Sequence, residues 1–194
     1  MPISTENMLH GAAIITLLES LDTLDEEITY RLSNGETKSC YQLLLSNEKK
    51  TESLKIGLFL KRSRKRISPW RYTFSKDNQH EIERLLKATN YLFVLLITDQ
   101  EGVALIDYPM LKMLLDDHFE ESESISVSRK LRENYRVSGT DGKLDKALPK
   151  NSFPRAITEY IAMNFYKDKK SKKSKDLFSR VIGKLNKLYS KLND

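Results

Sequence analysis

The sequence predicts an α+β fold, in which a mixed β-sheet is covered by helices on at least one face. Short apolar runs alternate with single stretches of helical periodicity, in the order αβββαβ and then βαββα. Two runs, LKIGLFLKR (54–62) and YLFVLLIT (91–98), are apolar over most of their length, which is typical of central strands buried on both faces. The chain of 194 residues is long enough for one such domain and an appendage.

The first half of the chain supplies the αβββαβ part of this order. Asn34-Gly35 is the pair that a tight primed turn prefers, because both positions need positive φ, and it predicts a hairpin. Pro69 ends the third strand, and Ser75, Asp77 or Asn78 can cap the next helix. The predicted elements are a helix (6–21), a hairpin (26–45), a strand (54–62), an extended segment (71–74), a helix containing Ile82, Leu85 and Leu86, and a strand (91–98).

The second half begins with a strand over VALIDY (103–108), followed by a helix over 109–119 with Pro109 at its first position. Two further strands follow in SISVSRK and NYRVSG, and Asp141-Gly142 predicts a turn after them. FPRAITEYIAMNFY (153–166) then has the spacing of a helix.

The C-terminal residues differ in composition from the rest of the chain. Residues 167–194 carry a net charge of +7, whereas residues 1–166 carry −1. The sequence therefore predicts one domain (1–166), a lysine-rich solvated linker (167–175) and a basic amphipathic helix (176–194) with eight large apolar residues on one face. The linker lysines expected to add sequence-independent electrostatic attraction are Lys169, Lys170, Lys172, Lys173 and Lys175.

The cysteine content and the N-terminus bear on the compartment. Cys40 is the single cysteine and lies in an apolar stretch, so a buried thiol and no internal disulfide are expected. The first twenty residues lack a basic leader, and no apolar run approaches the roughly 18–20 residues needed to span a bilayer. We therefore expect a cytoplasmic protein.

The segment KRSRKRISPWRY (61–72) holds six basic residues and the single tryptophan of the chain. Arginine predominates, which favours bidentate phosphate contacts, and an aromatic side chain could stack on a base. The alternative is a polar loop whose base is anchored in the core by Trp70 and Phe74, or a site for an acidic protein. The candidate binding residues are Lys61, Arg62, Arg64, Lys65, Arg66, Trp70, Arg71 and Tyr72.

A second basic zone lies in SVSRKLRENYRVSG (126–139), where cations flank Tyr135. If the two zones lie side by side they form one binding surface, and if they do not this zone is a charged solvent face. Its candidate residues are Arg129, Lys130, Arg132 and Arg136.

Several chemistries lack a signature in the sequence. The three histidines and one cysteine form no zinc pattern, so no resident metal is expected. None of the seven glycines belongs to a phosphate-binding loop of either familiar kind, and no nucleophile elbow is present. No cofactor is therefore expected.

The element order αβββαβ over residues 8–98 is similar to the minimal core of the PD-(D/E)xK nucleases. The resemblance implies a divalent metal, Mg²⁺, held by an acidic residue on the second strand and a (D/E)xK pair on the third. Lys61 occupies the position of the motif's lysine, but Phe59 replaces its carboxylate and the second strand has no acid. Glu19, on the first helix, is the acid expected to join Lys61, and the site would be degenerate.

The leading hypothesis is a non-catalytic nucleic-acid-binding or assembly protein that uses an Arg/Lys-Trp surface and the basic tail. A degenerate nuclease is the first alternative. The second is a subunit of a larger complex, or a self-associating protein, that docks through the 176–192 helix. A membrane surface is the less favoured partner, since Gly183 and Asn186 dilute the apolar face of that helix.

Overall fold

The computed structural model describes residues 3–24, 28–35, 37–47, 53–116 and 121–165. The chain divides into two compact units, residues 1–158 and 159–194. Both described sheets belong to the first unit. The predicted linker (167–175) and amphipathic helix (176–194) lie outside the described residues, as do their lysines.

The predicted α+β class is confirmed, with four α-helices and two sheets among the described residues. The helices are α1 (Thr5–Leu21), α2 (Lys76–Ala88), α3 (Tyr108–Lys112) and α4 (Arg155–Phe165). The strands are β1 (Ile28–Asn34), β2 (Cys40–Asn47), β3 (Ser53–Arg62), β4 (Trp70–Phe74), β5 (Tyr91–Ile97), β6 (Val103–Asp107), β7 (Glu123–Ser128) and β8 (Arg136–Gly139).

The larger sheet is mixed and has the strand order β1-β2-β3-β5-β6. Strands β1, β2 and β3 form an antiparallel meander, and β5 returns parallel to β3 after α2, with Ile56 opposite Tyr91. Burial of Ile56–Leu60 and Leu92–Ile97 on both faces confirms that β3 and β5 are central strands. This sheet therefore brings the carboxyl ends of β3 and β5 to the same edge.

The smaller sheet has the order β4-β7-β8, and all its pairs are antiparallel. The segment 71–74 is thus a strand, as its extended prediction allowed, but it belongs to a different sheet from β3. Trp70, Tyr72 and Phe74 point inward and alternate with the exposed Arg71 and Thr73. The period of two along WRYTF therefore sends its aromatic rings into the core and its polar residues outward.

The helix ends follow their capping residues. The Ser4 side chain accepts a hydrogen bond from the Asn7 backbone N–H and begins α1. Of the three predicted caps for α2, Ser75 is the one used, and it forms a reciprocal capping box with Asn78. The Asp107 carboxylate accepts from the Met110 N–H and begins α3.

Two local predictions are corrected by the structure. The hairpin of β1 and β2 exists, but β1 ends at Asn34 and β2 begins at Cys40, so the connection is longer than a two-residue turn. The Gly35 N–H donates to the Cys40 carbonyl at 2.7 Å and closes this longer loop. The helix predicted over 109–119 ends at Lys112, because the backbone of Met113–Leu115 continues as turns.

One continuous core joins the two sheets and α2 within the first unit. Phe59 of β3 packs against Phe74 of β4, with ring centroids 6.2 Å apart, and Trp70 meets Tyr135 edge-on. Cys40 is buried in the same core, which confirms the buried thiol. Aromatic and aliphatic side chains therefore both fix the smaller sheet to the larger one, and the polar face of β4 is left to solvent.

Candidate nucleic-acid interface

A cavity of about 510 Å³ opens where β3 ends and the chain crosses to β4. We call it the basic cavity, because five cationic side chains line it and Glu6 is the one acidic residue among its described walls. Such a charge distribution attracts anions and concentrates the field of the cations in a concave space. The lining residues are Glu6, Ser39, Lys61, Arg62, Ser63, Arg64, Lys65, Arg71, Tyr72 and Thr73.

Three consecutive pieces of chain position these cations. Lys61 and Arg62 are the last residues of β3. In the loop that follows, the Ser63 N–H donates to the Ile97 carbonyl at 3.2 Å, and the Ser63 hydroxyl accepts from the Lys65 N–H. Arg71 projects from the outward face of β4. Ser63 thus attaches the start of the exposed basic loop to the carboxyl end of β5 by a hydrogen bond.

Lys61 is partly buried at the end of β3, whereas Arg64, Lys65 and Arg71 are exposed. Its ammonium group donates to the Asn78 side-chain carbonyl and lies 5.3 Å from the centre of the Phe74 ring. Burial lowers the pKa of Lys61, and the carboxylates of Glu81 and Glu6 act in the opposite direction. Helix α2 therefore anchors this lysine through Asn78. Arg64 and Lys65 belong to the exposed loop after β3.

Helix α1 forms another wall of the cavity through Glu6, and the neighbouring His10 is buried. The His10 Nδ1 lies 3.3 Å from the Lys38 carbonyl, and its Nε2 has no hydrogen-bond partner among the described residues. Burial lowers the pKa of His10 more than the nearby Glu6 raises it. This histidine therefore adds little positive charge to the site at neutral pH.

The sequence interpretation missed Glu6, Ser39, Ser63 and Thr73 as lining residues. Thr73 alternates with the aromatic residues of β4, and this period of two was a readable signal. Glu6 and Ser39 reach the cavity from distant parts of the chain, and no local pattern marks them.

Trp70 and Tyr72 correct the expectation of an aromatic stacking surface. Trp70 is 2% exposed and Tyr72 is 1% exposed, so neither ring presents a face to a base. The Tyr72 hydroxyl donates to the Ile97 carbonyl at 3.0 Å, and burial raises its pKa. The alternative in which Trp70 and Phe74 anchor the loop in the core matches this arrangement.

Arg66 and Arg129 lie outside the basic cavity and face the acidic turn between β5 and β6. The Arg66 Nε is 4.0 Å from an Asp99 carboxylate oxygen, and the Arg66 side chain remains exposed. Arg129 forms an ion pair with Glu101 and lies over the Tyr135 ring. These contacts largely bury the Arg129 side chain, so it is better placed to stabilise the fold than to bind a ligand.

The two basic zones meet at their loops. The Arg129 N–H donates to the Ser68 hydroxyl at 3.0 Å, which joins the loop after β3 to the loop after β7. Lys130, Arg132 and Arg136 are exposed on this side. Each loop also exposes one large apolar side chain, Ile67 at 77% and Leu131 at 86%.

Glu19 does not join Lys61. It is exposed in the last turns of α1, and the acid of α1 that lines the cavity is Glu6. A helix rises 1.5 Å per residue, so Glu19 lies roughly 20 Å along the axis from Glu6. Phe59 is fully buried against Phe74, so the third strand offers no carboxylate beside the lysine.

Comparisons with protein-family models, with curated proteins and with solved structures find no match to this chain. Among the described residues, no helix combines the length and apolar character that crossing a bilayer requires. The basic cavity and the two loops beside it are therefore the features of the molecule from which its function is inferred.

Proposed function

We propose that this protein binds nucleic acid through the basic cavity and the loops beside it, without catalysing a reaction. The observation that carries the proposal is the convergence of Lys61, Arg62, Arg64, Lys65 and Arg71 on one concave space with a single acid in its described walls. Closely spaced cations release condensed counterions from a polyphosphate, and that release drives binding with little dependence on sequence.

The exposed loops extend this surface. Ile67 lies beside Lys65 and Arg66, and Leu131 lies between Lys130 and Arg132. Apolar side chains flanked by cations can contact base edges or a base step while the cations hold the phosphates. Ile67 and Leu131 can therefore make the apolar contacts with bases that the buried aromatic rings of β4 cannot make.

The predicted tail extends the same proposal. Its lysines (167–175) would add affinity for phosphates, and the 176–192 helix would bind a protein partner or a second copy of the chain. A buried single thiol suits a reducing compartment, so we place the protein in the cytoplasm. An acidic protein surface is the competing partner, because carboxylates and phosphates are both recognised by guanidinium groups.

The proposal is tested by fluorescence anisotropy of a labelled DNA duplex, with the full chain and a 1–166 truncation, across a salt series. We expect the truncation to bind, with a log–log salt slope of about −4.5 to −5.4 for five or six neutralised phosphates. Binding by the full chain alone would assign the affinity to the tail and leave the basic cavity for an acidic protein.

A metal-dependent nuclease is a second candidate function. The strand order β1-β2-β3-β5-β6, with β5 parallel to β3, supports this candidate, and the carboxylates of Glu81 and Glu6 are close enough to Lys61 to act on its pKa against the effect of burial. The fit to a divalent metal is incomplete, since Phe59 fills the position of the motif's acid and no group of three ligands surrounds Lys61 among the described residues. We derive no catalytic step from it.

The nuclease candidate predicts cleavage of plasmid DNA that requires Mg²⁺ or Mn²⁺. Lys61→Ala and Glu6→Gln should each lower the cleavage rate at least 100-fold, because both side chains face the cavity. Glu19→Gln is the matched control and should leave the rate unchanged. Cleavage that persists in Lys61→Ala would come from a contaminant or from another site.

A further inference from the structure

Three carboxylates meet at the end of the smaller sheet, where Phe74 of β4 lies opposite Glu123 of β7. Asp116 follows α3, Glu123 begins β7, and Asp141 lies in the turn after β8. One carboxylate oxygen from each lies within 4.8 Å of the others. This acidic cluster therefore joins three separate pieces of chain.

The backbone holds the cluster in place. The Asp116 N–H is shared between a Glu123 oxygen at 3.0 Å and an Asp141 oxygen at 3.1 Å. The Asp141 N–H donates to the Leu114 carbonyl at 3.1 Å, which fixes the turn against the residues after α3. The three carboxylates are thus positioned by main-chain contacts as well as by their own side-chain torsions.

Glu123 differs from an ordinary surface acid. The residue is 6% exposed, and its Oε2 is buried and accepts no hydrogen bond from any residue that the structure describes. A buried carboxylate oxygen without a donor is costly, and a cation is the partner that satisfies it best beside two further carboxylates.

We propose that Asp116, Glu123 and Asp141 bind a hard divalent cation, calcium or magnesium. The ligands are all oxygens, which these ions prefer to nitrogen or sulfur. Two oxygens bound to one calcium ion at the usual 2.3–2.6 Å lie at most about 5 Å apart, so the 4.8 Å limit of the cluster is compatible with a single calcium shell that water completes. The bound ion would connect the residues after α3 to β7 and to the turn after β8. This proposal does not depend on the proposal that the protein binds nucleic acid.

The test is calorimetric titration of the full-length, chelator-treated protein with CaCl₂ and with MgCl₂, together with thermal unfolding at each concentration. We expect a saturable heat for one ion per chain. We also expect Tm to rise by roughly 3–6 °C when the cation is at ten times Kd. Neither a heat of binding nor a change in Tm at 10 mM of either cation would overturn the proposal.

Glu123→Gln keeps the shape of the side chain and removes a like charge, so the variant should fold and lose the cation response. Asp145→Asn is the matched control, because Asp145 is exposed nearby and lies outside the cluster. If Glu123→Gln folds poorly, the exposed pair Asp116→Asn with Asp141→Asn gives the same readout. A response equal to that of the wild type in both sets of variants would assign the ion to another site.

Discussion

Replacing Arg64 and Arg71 together by alanine should weaken duplex binding about 10–50-fold at 0.15 M salt and make the log–log salt slope shallower by about two. Arg64 lies on the loop after β3 and Arg71 on the outward face of β4, so both line the basic cavity from separate elements. Each removed guanidinium leaves one phosphate unneutralised, and the counterions that it displaced stay on the nucleic acid.

The measurement is anisotropy across a salt series with the full chain, as for the truncation. Lys146→Ala with Lys150→Ala is the charge-matched control, because both lysines are exposed and neither lines the cavity. The control should retain the wild-type slope with at most a twofold loss of affinity. Equal losses in the two double variants would mean that net charge alone determines binding, and the cavity would then have no special role.

Gly139→Ala should lower the free energy of unfolding by about 3 kcal/mol or more, with Tm falling by roughly 6–12 °C. A Cβ on Gly139 would lie 2.0 Å from the Leu114 carbonyl oxygen and 2.6 Å from its carbonyl carbon. These are backbone atoms, so the collision cannot be relieved by a side-chain rotation. The turn after β8 would have to move away from the residues after α3.

Gly11→Ala is the control for the glycine prediction. A Cβ on Gly11 would meet nothing within 4 Å, and the residue lies inside α1. Alanine there should raise the free energy of unfolding by roughly 0.5–1 kcal/mol, because glycine is a poor helix former. Thermal and urea unfolding of both variants measure the effect. A Gly139→Ala protein as stable as wild type would show that the turn yields easily.

The strongest patterns of the sequence led to correct elements. The apolar runs of β3 and β5 identified two central strands, and the structure pairs them in parallel. Ser75, Asp77 and Asn78 predicted a helix start in this segment, and the structure selects Ser75 as the cap of α2, with Asn78 as its partner in the capping box. Patterns of this kind reflect local backbone geometry and the burial of one face. Both effects can be recognised in a single sequence.

The aromatic residues of the basic segment show where such interpretation failed. Trp70 and Tyr72 were expected at a binding surface, although WRYTF alternates apolar with polar residues. That alternation indicates one buried and one exposed face but does not say which sheet covers the buried one. Only the pairing of β4 with β7, Trp70 opposite Val127, decides that the rings enter the core.

The sequence by itself determined the α+β class, the central strands and the concentration of cations around residues 61–72. The tertiary structure decided which charges meet: Glu6 lines the cavity while Glu19 lies away from it, and Arg129 pairs with Glu101. The physical reason is the sequence distance over which each kind of interaction acts. Periodicity and capping act over a few residues, whereas the meeting of two charges depends on how distant elements pack.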